Sequence, residues 1–166
     1  GLIALAEKIA DAFTNDRKVM LCGNGGSAAD AQHIAAEFVN RFEMERPPLP
    51  AVALTTDTSI ITCVGNDYSF EDIFAKQVKA IGIADDVLMA ISTSGNSANI
   101  IKAAETAREM DIHVCGITGG DGGKLKDIAD SCLIVDSRST ARIQETHILM
   151  GHIICSLVDY ILFQRG

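Results

Sequence analysis

Short apolar runs alternate with longer helical patterns along this chain, and that alternation limits the possible folds more than any other feature. Each run is about four to six residues long and mostly apolar, which is typical of strands that are buried on both faces of a parallel sheet. The five runs are Lys18–Cys22, Ala51–Leu54, Val87–Ile91, His113–Thr118 and Cys132–Val135.

The stretches between these runs space their apolar residues at intervals of three and four, the period of an amphipathic helix. Strand and helix alternate, which predicts an α/β fold: a doubly wound five-stranded parallel sheet flanked by helices. No linker or internal repeat interrupts the pattern, so residues 1–166 are predicted to form a single domain. The predicted helices are Gly1–Phe13, Ala28–Asn40, Phe70–Ala80, Ala98–Met110 and Thr140–Phe163, the last capped by Ser139 or Thr140.

The charge balance excludes some classes of partner. Fourteen Lys and Arg against 22 Asp and Glu give a net charge of −8, so we expect neither nucleic acid nor an anionic membrane surface to be bound. The most apolar stretch, residues 148–158, contains His152 and is shorter than the roughly 20 residues of a membrane span. Five single cysteines are predicted to be buried in a reducing compartment. We therefore expect a cytoplasmic protein, and because the first residue is Gly, a chain that begins within a longer sequence.

The first strand runs into a glycine-rich loop, Cys22-Gly-Asn-Gly-Gly-Ser27, and then into a helix. Exposed backbone N–H groups and the helix dipole would favour an anion there. The loop matches neither the Gly-x-Gly-x-x-Gly pattern nor a P-loop, however, and a tight turn explains its glycines equally well.

The third strand ends in Ser92-Thr-Ser-Gly-Asn-Ser97, again before a helix. Four hydroxyl groups at a helix N-terminus can bind a phosphomonoester without a cation. Helix capping by Asn96 or Ser97 is the alternative, but it leaves three hydroxyls unexplained.

In a sheet of strand order 2-1-3-4-5, strands one and three are neighbours at the topological switch point. The two loops are therefore predicted to line one crevice. A third glycine-rich stretch, Gly119–Gly123, follows the fourth strand. Its acidic Asp121 favours a turn with left-handed residues over a third anion site.

Histidines and a carboxylate mark two of the predicted helices. His33 and Glu37 lie at i and i+4 and so share one face. On the last helix, His147 and His152 lie to either side of Gln144, and their directions around the helix do not decide between them. If the helices meet over the crevice, His33, Glu37, Gln144 and His152 form a donor set that suits Zn²⁺; an exposed ion pair and structural histidines explain the same residues.

Taken together and in this order, the motifs resemble those of the phosphoheptose isomerase family of sugar isomerase (SIS) domain enzymes. The resemblance covers nearly the whole chain, and the combination of motifs is more specific than any one of them. The matching segments are Cys22-Gly-Asn-Gly-Gly-Ser27, His33-x-x-x-Glu37, Val64-Gly-Asn-Asp67, Ile91-Ser-Thr-Ser-Gly-Asn-Ser97 and Arg142-Ile-Gln-Glu145 followed by His152.

The resemblance implies a set of site residues. The residues implied to hold phosphate are Ser92, Thr93, Ser94 and Ser97. The residues implied to contact the sugar are Asn24, Gly25, Gly26, Ser27, Asn66 and Asp67, with Glu37 and Gln144. The residues implied to bind one Zn²⁺ per subunit are His33, Glu37, Gln144 and His152.

The resemblance also implies an activity: D-sedoheptulose 7-phosphate becomes D-glycero-D-manno-heptose 7-phosphate through an enediol, an early step toward the heptose of lipopolysaccharide. Glu37 is predicted as the general base and His152 as the acid. A homotetramer with sites at subunit interfaces is implied as well. Two alternatives stay open: a non-catalytic relative that binds the replication initiator, and a module that senses sugar phosphates. The presence of Glu37 and His152 favours the enzyme.

Overall fold

The five apolar runs form one parallel sheet, as the alternation predicts. The structure, a computed structural model, describes residues 1–164; the predicted single domain of residues 1–166 extends two residues beyond them. The strand order is β2-β1-β3-β4-β5, and every neighbouring pair is parallel, which confirms the predicted doubly wound topology. The strands are β1 (Val19–Gly23), β2 (Ala51–Ala53), β3 (Val87–Ser92), β4 (His113–Gly119) and β5 (Ser131–Val135).

Helices connect the strands and cover both faces of the sheet. One face is packed against α1, α2 and α7, and the other against α3, α4, α5 and α6. Alternate residues of β1 and β3 enter opposite layers, which is why these strands are apolar throughout. The helices are α1 (Leu2–Thr14), α2 (Gly26–Val39), α3 (Thr58–Asp67), α4 (Ala75–Ile81), α5 (Ala98–Glu109), α6 (Leu125–Ile128) and α7 (Thr140–Phe163).

The segment between β2 and β3 differs from its prediction. The single helix predicted over Phe70–Ala80 is wrong in extent, because a 3-10 turn at Phe70–Asp72 precedes α4. Tertiary contacts hold that turn: the Asp72 carboxylate accepts a hydrogen bond from Ser69 at 2.7 Å and pairs with Lys102 of α5 at 2.8 Å. Helix α3 was not predicted, although Asp57 caps it by accepting a bond from a backbone N–H at 2.9 Å.

The cysteines divide by environment. Cys22, Cys115 and Cys155 are buried, and burial raises the pKa of each of these thiols to about 12. Cys63 is exposed, which contradicts the prediction that all five are buried, and Cys132 is only partly buried. Cys63 lies on α3, a helix in which Val64 is the one buried residue.

Helix α7 spans Thr140–Phe163, as predicted, and extends well beyond its most apolar stretch, residues 148–158. Among the described residues, it is the one helix that is long and apolar enough to cross a membrane, with about a third of its most apolar window buried. This is weak evidence for a membrane span, because core helices of soluble proteins pass the same test. Here α7 packs along α1 and α2 and contacts β4 and β5. Ser139 stands at its N-cap position, but the hydroxyl makes no capping bond.

Candidate active site

The loops after β1 and β3 meet at one edge of the sheet, as predicted for a switch point. Asn24 and Asn99 join them through two amide bonds: Asn24 Nδ2 donates to Asn99 Oδ1 at 2.8 Å, and Asn99 Nδ2 donates to Asn24 Oδ1 at 2.9 Å. Asn99, only 3% exposed, was missed in the sequence analysis. The Asn24 amide therefore holds the two loops together through its pair of bonds with Asn99.

The serine hydroxyls of the loop Ser92–Ser97 bond within the loop and do not cap α5. Ser97 occupies the N-cap position of α5, but its side chain makes no capping bond. Its Oγ lies 3.1 Å from Ser92 Oγ instead. The capping alternative therefore does not account for this serine, and the helix N-terminus keeps a polar surface that suits a phosphate oxygen.

The third glycine-rich stretch supports that loop. Gly120, Gly122 and Gly123 all have positive φ, in agreement with the predicted left-handed turn. The N–H of Leu125 donates to the carbonyl of Gly95 at 2.9 Å. A Cβ on Gly95 would lie 1.9 Å from the carbonyl oxygen of Gly122. The two backbones are thus in direct contact, and only glycine fits at this point.

Three of the four predicted metal ligands converge. His33 Nε2 lies 3.0 Å from His152 Nε2 and 3.1 Å from Glu37 Oε1. The candidate ligand atoms of these three residues all lie within 4.8 Å of one another. The ring of Phe42 stacks on His152 with centroids 5.4 Å apart, which restricts the orientation of that imidazole. The arrangement combines a carboxylate and two imidazoles at the junction of α2 and α7.

The two helices run side by side in the same direction, and this brings the residues of α7 to those of α2. Gln144 lies against Gly26 at the start of α2, where a Cβ would come within 2.4 Å of the Gln144 amide nitrogen. About two turns further along both helices, Gly151 allows the close approach of Ile34, next to the His33–His152 contact. Gln144 therefore sits where the glycine loop meets the helix, about two turns along the axis from His33.

The remaining predicted sugar contacts belong to the end of α3 and to the start of α2. Asn66 and Asp67 end α3, are exposed, and bond to each other through Asn66 Nδ2 and Asp67 Oδ1 at 2.8 Å. Ser27 is buried at the start of α2, whereas Gly25 and Gly26 are exposed. The crevice is thus built from the β1 and β3 loops, α2 and α7.

His147, whose role the helical directions left undecided, belongs to the interior. It is 1% exposed, and its Nε2 faces the carbonyl oxygen of Thr118 in β4 at 3.0 Å. A carbonyl only accepts, so Nε2 is the protonated nitrogen and Nδ1 is a bare acceptor. Nδ1 and Asp30 Oδ2 are both buried without a hydrogen-bond partner among the described residues. Burial raises the pKa of Asp30 and lowers that of His147.

The lowered pKa of His147 predicts acid sensitivity. The unfolded chain takes up this proton near pH 6.5, the ordinary value for histidine, while the folded protein takes it up only at lower pH. Between the two values the unfolded state binds more protons, so the free energy of unfolding decreases as the pH falls below about 6.5. We expect His147→Gln to reduce this decrease, measured by urea unfolding between pH 8 and pH 5.

The value at pH 8 serves as the control in that experiment. At pH 8 the imidazole is neutral in both states, so any difference between the variant and the wild type reports packing alone. His113, whose pKa burial also lowers, contributes to the slope in both proteins. Equal slopes for the wild type and His147→Gln would contradict the assignment.

The chain is similar to proteins of one family over most of its length. The SIS domain family matches residues 1–119. A phosphoheptose isomerase from Nitratidesulfovibrio vulgaris is 56% identical over 160 residues, which cover 96% of this chain and 77% of that protein. One from Aneurinibacillus thermoaerophilus is 54% identical over 161 residues, covering 97% and 81%. The solved phosphoheptose isomerase from Neisseria gonorrhoeae superposes with a TM-score of 0.90 at 52% identity, covering 95% and 84%.

Proposed function

The chain belongs to the SIS domain family and, within it, to the phosphoheptose isomerases, and from this membership we propose how its site works. It is an aldose–ketose isomerase that acts on sedoheptulose 7-phosphate and forms D-glycero-D-manno-heptose 7-phosphate. The observation that supports the assignment of roles is the convergence of His33, Glu37 and His152 beside the crevice. Groups that can transfer protons and a phosphate-binding loop are the two requirements of such an isomerase.

The phosphate belongs at the β3–α5 loop. Ser92, Thr93, Ser94 and Ser97 offer hydroxyl groups there, and the N-terminus of α5 adds its dipole. A dianion bound at one end fixes the direction in which the seven-carbon chain extends. Its reacting carbons, at the other end of the sugar, then lie toward α2 and α7. We assign to the sugar the residues along this path, which are Gly25, Gly26, Ser27 and Gln144.

Glu37 and His152 carry the proton transfers. The Glu37 carboxylate removes a proton from C1 of the ketose, which gives an enediol, and returns it to C2. His152 donates a proton to the C2 oxygen as the carbonyl opens and receives one from the C1 hydroxyl as the new carbonyl forms. After the first half of the reaction Glu37 holds the proton from C1 and His152 has given up its own. The second half reverses both changes, so a complete turnover leaves the enzyme in the protonation state in which it began, as acid–base catalysis requires.

The three converging residues also fit a zinc ion. Their candidate ligand atoms lie within 4.8 Å of one another, and two imidazoles with one carboxylate are a donor set that zinc accepts. We assign the ligands as His33, Glu37 and His152. To serve as the predicted fourth ligand, Gln144 would have to turn its side chain away from Gly26, against which it lies. A bound zinc ion would polarise the carbonyl and stabilise negative charge on the enediolate oxygens. With zinc bound, Glu37 and His152 would each be shared between holding the ion and transferring protons.

An isomerase assay tests the proposal. We expect the purified protein to convert sedoheptulose 7-phosphate to the aldose phosphate, and activity to fall at least tenfold after treatment with a chelator and to return with added Zn²⁺. Unchanged activity after chelator treatment would rule out a role for zinc, but it would not contradict the isomerase activity. A folded protein that binds the sugar phosphate without turnover would contradict the enzyme and favour one of the two non-catalytic alternatives.

The assembly and location form part of the same proposal. Helix α7 exposes large apolar side chains, among them Leu149, Ile153, Tyr160 and Phe163. A row of this kind marks a surface that pairs with another chain. We assign it to a homotetramer, in which Asn66 and Asp67 contact the sugar at a subunit interface. We place the protein, as a single domain of residues 1–166, in the cytoplasm, where it supplies a heptose phosphate for lipopolysaccharide precursors.

A further inference from the structure

Arg46, a residue outside every motif of the sequence analysis, caps the end of the helix that carries Glu37. Helix α2 ends at Val39, so the carbonyls of its last turn have no helical N–H to accept from. Arg46 Nη2 donates to the Glu37 carbonyl at 2.8 Å, and Nη1 donates to the Phe38 carbonyl at 2.7 Å. The side chain is 1% exposed. A cation in this position also opposes the negative end of the helix dipole.

The same guanidinium reaches the second helix of the site. Arg46 Nε donates to Asp159 Oδ1 on α7 at 2.7 Å, and the Asp159 side chain is 5% exposed. Asp159 follows His152 by seven residues, about two turns, and so lies on the same side of α7. One planar group therefore joins the last turn of α2 to the helix that carries His152.

Stability alone gives little reason for such a pair. Removing two charges from water costs about as much as their attraction returns, and apolar residues of similar volume often serve as well. The pair instead fixes the relative orientation of the groups it joins, because a guanidinium offers donors in a fixed plane and binds only acceptors placed to match it. Here the acceptors are the backbone of Glu37 itself and a side chain of α7.

We propose that Arg46 and Asp159 are positioning residues of the isomerase, which hold the Glu37 carboxylate in register with His33 and His152. Neither residue is placed in contact with the substrate. The inference rests on the proposed role of Glu37 as base. The proposal gives a function to a buried ion pair that lies next to the catalytic groups, although neither Arg46 nor Asp159 takes part in the proton transfers.

Two variants separate the parts of this device. Arg46→Lys keeps the charge but lacks the fork that binds two carbonyls and a carboxylate together. Asp159→Asn keeps the shape and one acceptor but removes the negative charge. For both we expect kcat to fall about 10- to 100-fold, the effect of displacing a catalytic group by about 1 Å. KM for the sugar phosphate should stay within about threefold, because the phosphate loop belongs to β3 and α5.

Lys18 and Asp86 provide a matched control. Lys18 Nζ lies 2.6 Å from Asp86 Oδ2, and Asp86 is fully buried. This pair joins the amino ends of β1 and β3, the edge of the sheet opposite the crevice. Lys18→Met should lower the melting temperature and leave kcat unchanged when both proteins are assayed well below their melting temperatures.

The outcomes are distinct. A fall in kcat for Arg46→Lys and Asp159→Asn but not for Lys18→Met supports the inference, and Arg46→Met should be less active than Arg46→Lys. Wild-type kcat in the first two variants, an equal fall in all three, or failure of both site variants to fold overturns it. Glu37→Gln in the same series tests the premise: if that variant keeps its turnover, the proposed base is wrong whatever Arg46 does.

Discussion

Replacing Glu37 by Gln is expected to lower isomerase turnover by about 10²–10⁴-fold, the contribution of a general base. The glutamine side chain has nearly the same shape and can still bond to His33, which lies 3.1 Å from the carboxylate in the wild type. It cannot accept a proton from carbon. Binding of the sugar phosphate should persist, because the hydroxyls that hold the phosphate belong to the loop after β3. The measurements are kcat and the dissociation constant of the sugar phosphate, by calorimetry, for the wild type and the variant.

Glu45→Gln is the matched control for that prediction. Glu45 is 87% exposed and pairs with Arg41 at 3.0 Å on the surface. The substitution makes the same chemical change eight residues further along the chain, and we expect turnover within about twofold of the wild type, as for most surface changes. Turnover by Glu37→Gln at the level of Glu45→Gln would rule out the carboxylate as the base. Loss of sugar phosphate binding would instead point to a role in holding the substrate.

The second large effect is expected from Gly95→Ala in the phosphate loop. A left-handed conformation, φ +63° here, costs an alanine about 1–2 kcal/mol. In addition, the new Cβ would lie 1.9 Å from the carbonyl oxygen of Gly122, so the two loops would have to separate. We expect the free energy of unfolding to fall by more than about 3 kcal/mol in total, among the larger single-residue effects. Phosphate affinity should fall with it, since Ser94 and Ser97 flank Gly95.

Gly120→Ala isolates the cost of the backbone conformation. Gly120 has almost the same φ, +64°, and no atom lies within 4 Å of a Cβ built on it. Its substitution should therefore cost only about 1–2 kcal/mol. The difference between the two variants, measured by urea unfolding, reports the contact between the loops. Similar losses for both would mean that the β3–α5 loop tolerates a separation from the Gly119–Gly123 turn.

Individual residues show how much of the site could be predicted from a single sequence. The i, i+4 spacing of His33 and Glu37 requires only that α2 be a helix, so their proximity could be predicted. The neighbouring positions of the β1 and β3 loops followed from the strand order. His147 and His152 could not be distinguished, because the choice depends on how α7 is rotated against α2 and β4, and Thr118 and Phe42 decide that.

Other residues gave no local signal. Asn99 looks like an ordinary residue in the first turn of a helix, and Arg46 lies among the prolines that lead to β2. Their importance comes from partners 75 and 113 positions away along the chain, Asn24 and Asp159. The break between Phe70 and α4 likewise depends on Lys102 from another helix. Pairings of this kind are absent from any local pattern.

The sequence by itself determined the fold class and, once the order 2-1-3-4-5 is taken for the doubly wound sheet, the two loops at the switch point. Both follow because the periodicity of buried side chains and the rules of parallel sheets act locally or on whole elements. Tertiary structure alone decided which of the candidate side chains come together. The parallel packing of α2 on α7 brings His152 to His33 and places Gln144 on Gly26. It also lets one arginine join the two helices. Distances of this kind are set by the close packing of side chains that are far apart in the chain, and that packing exists only in the folded protein.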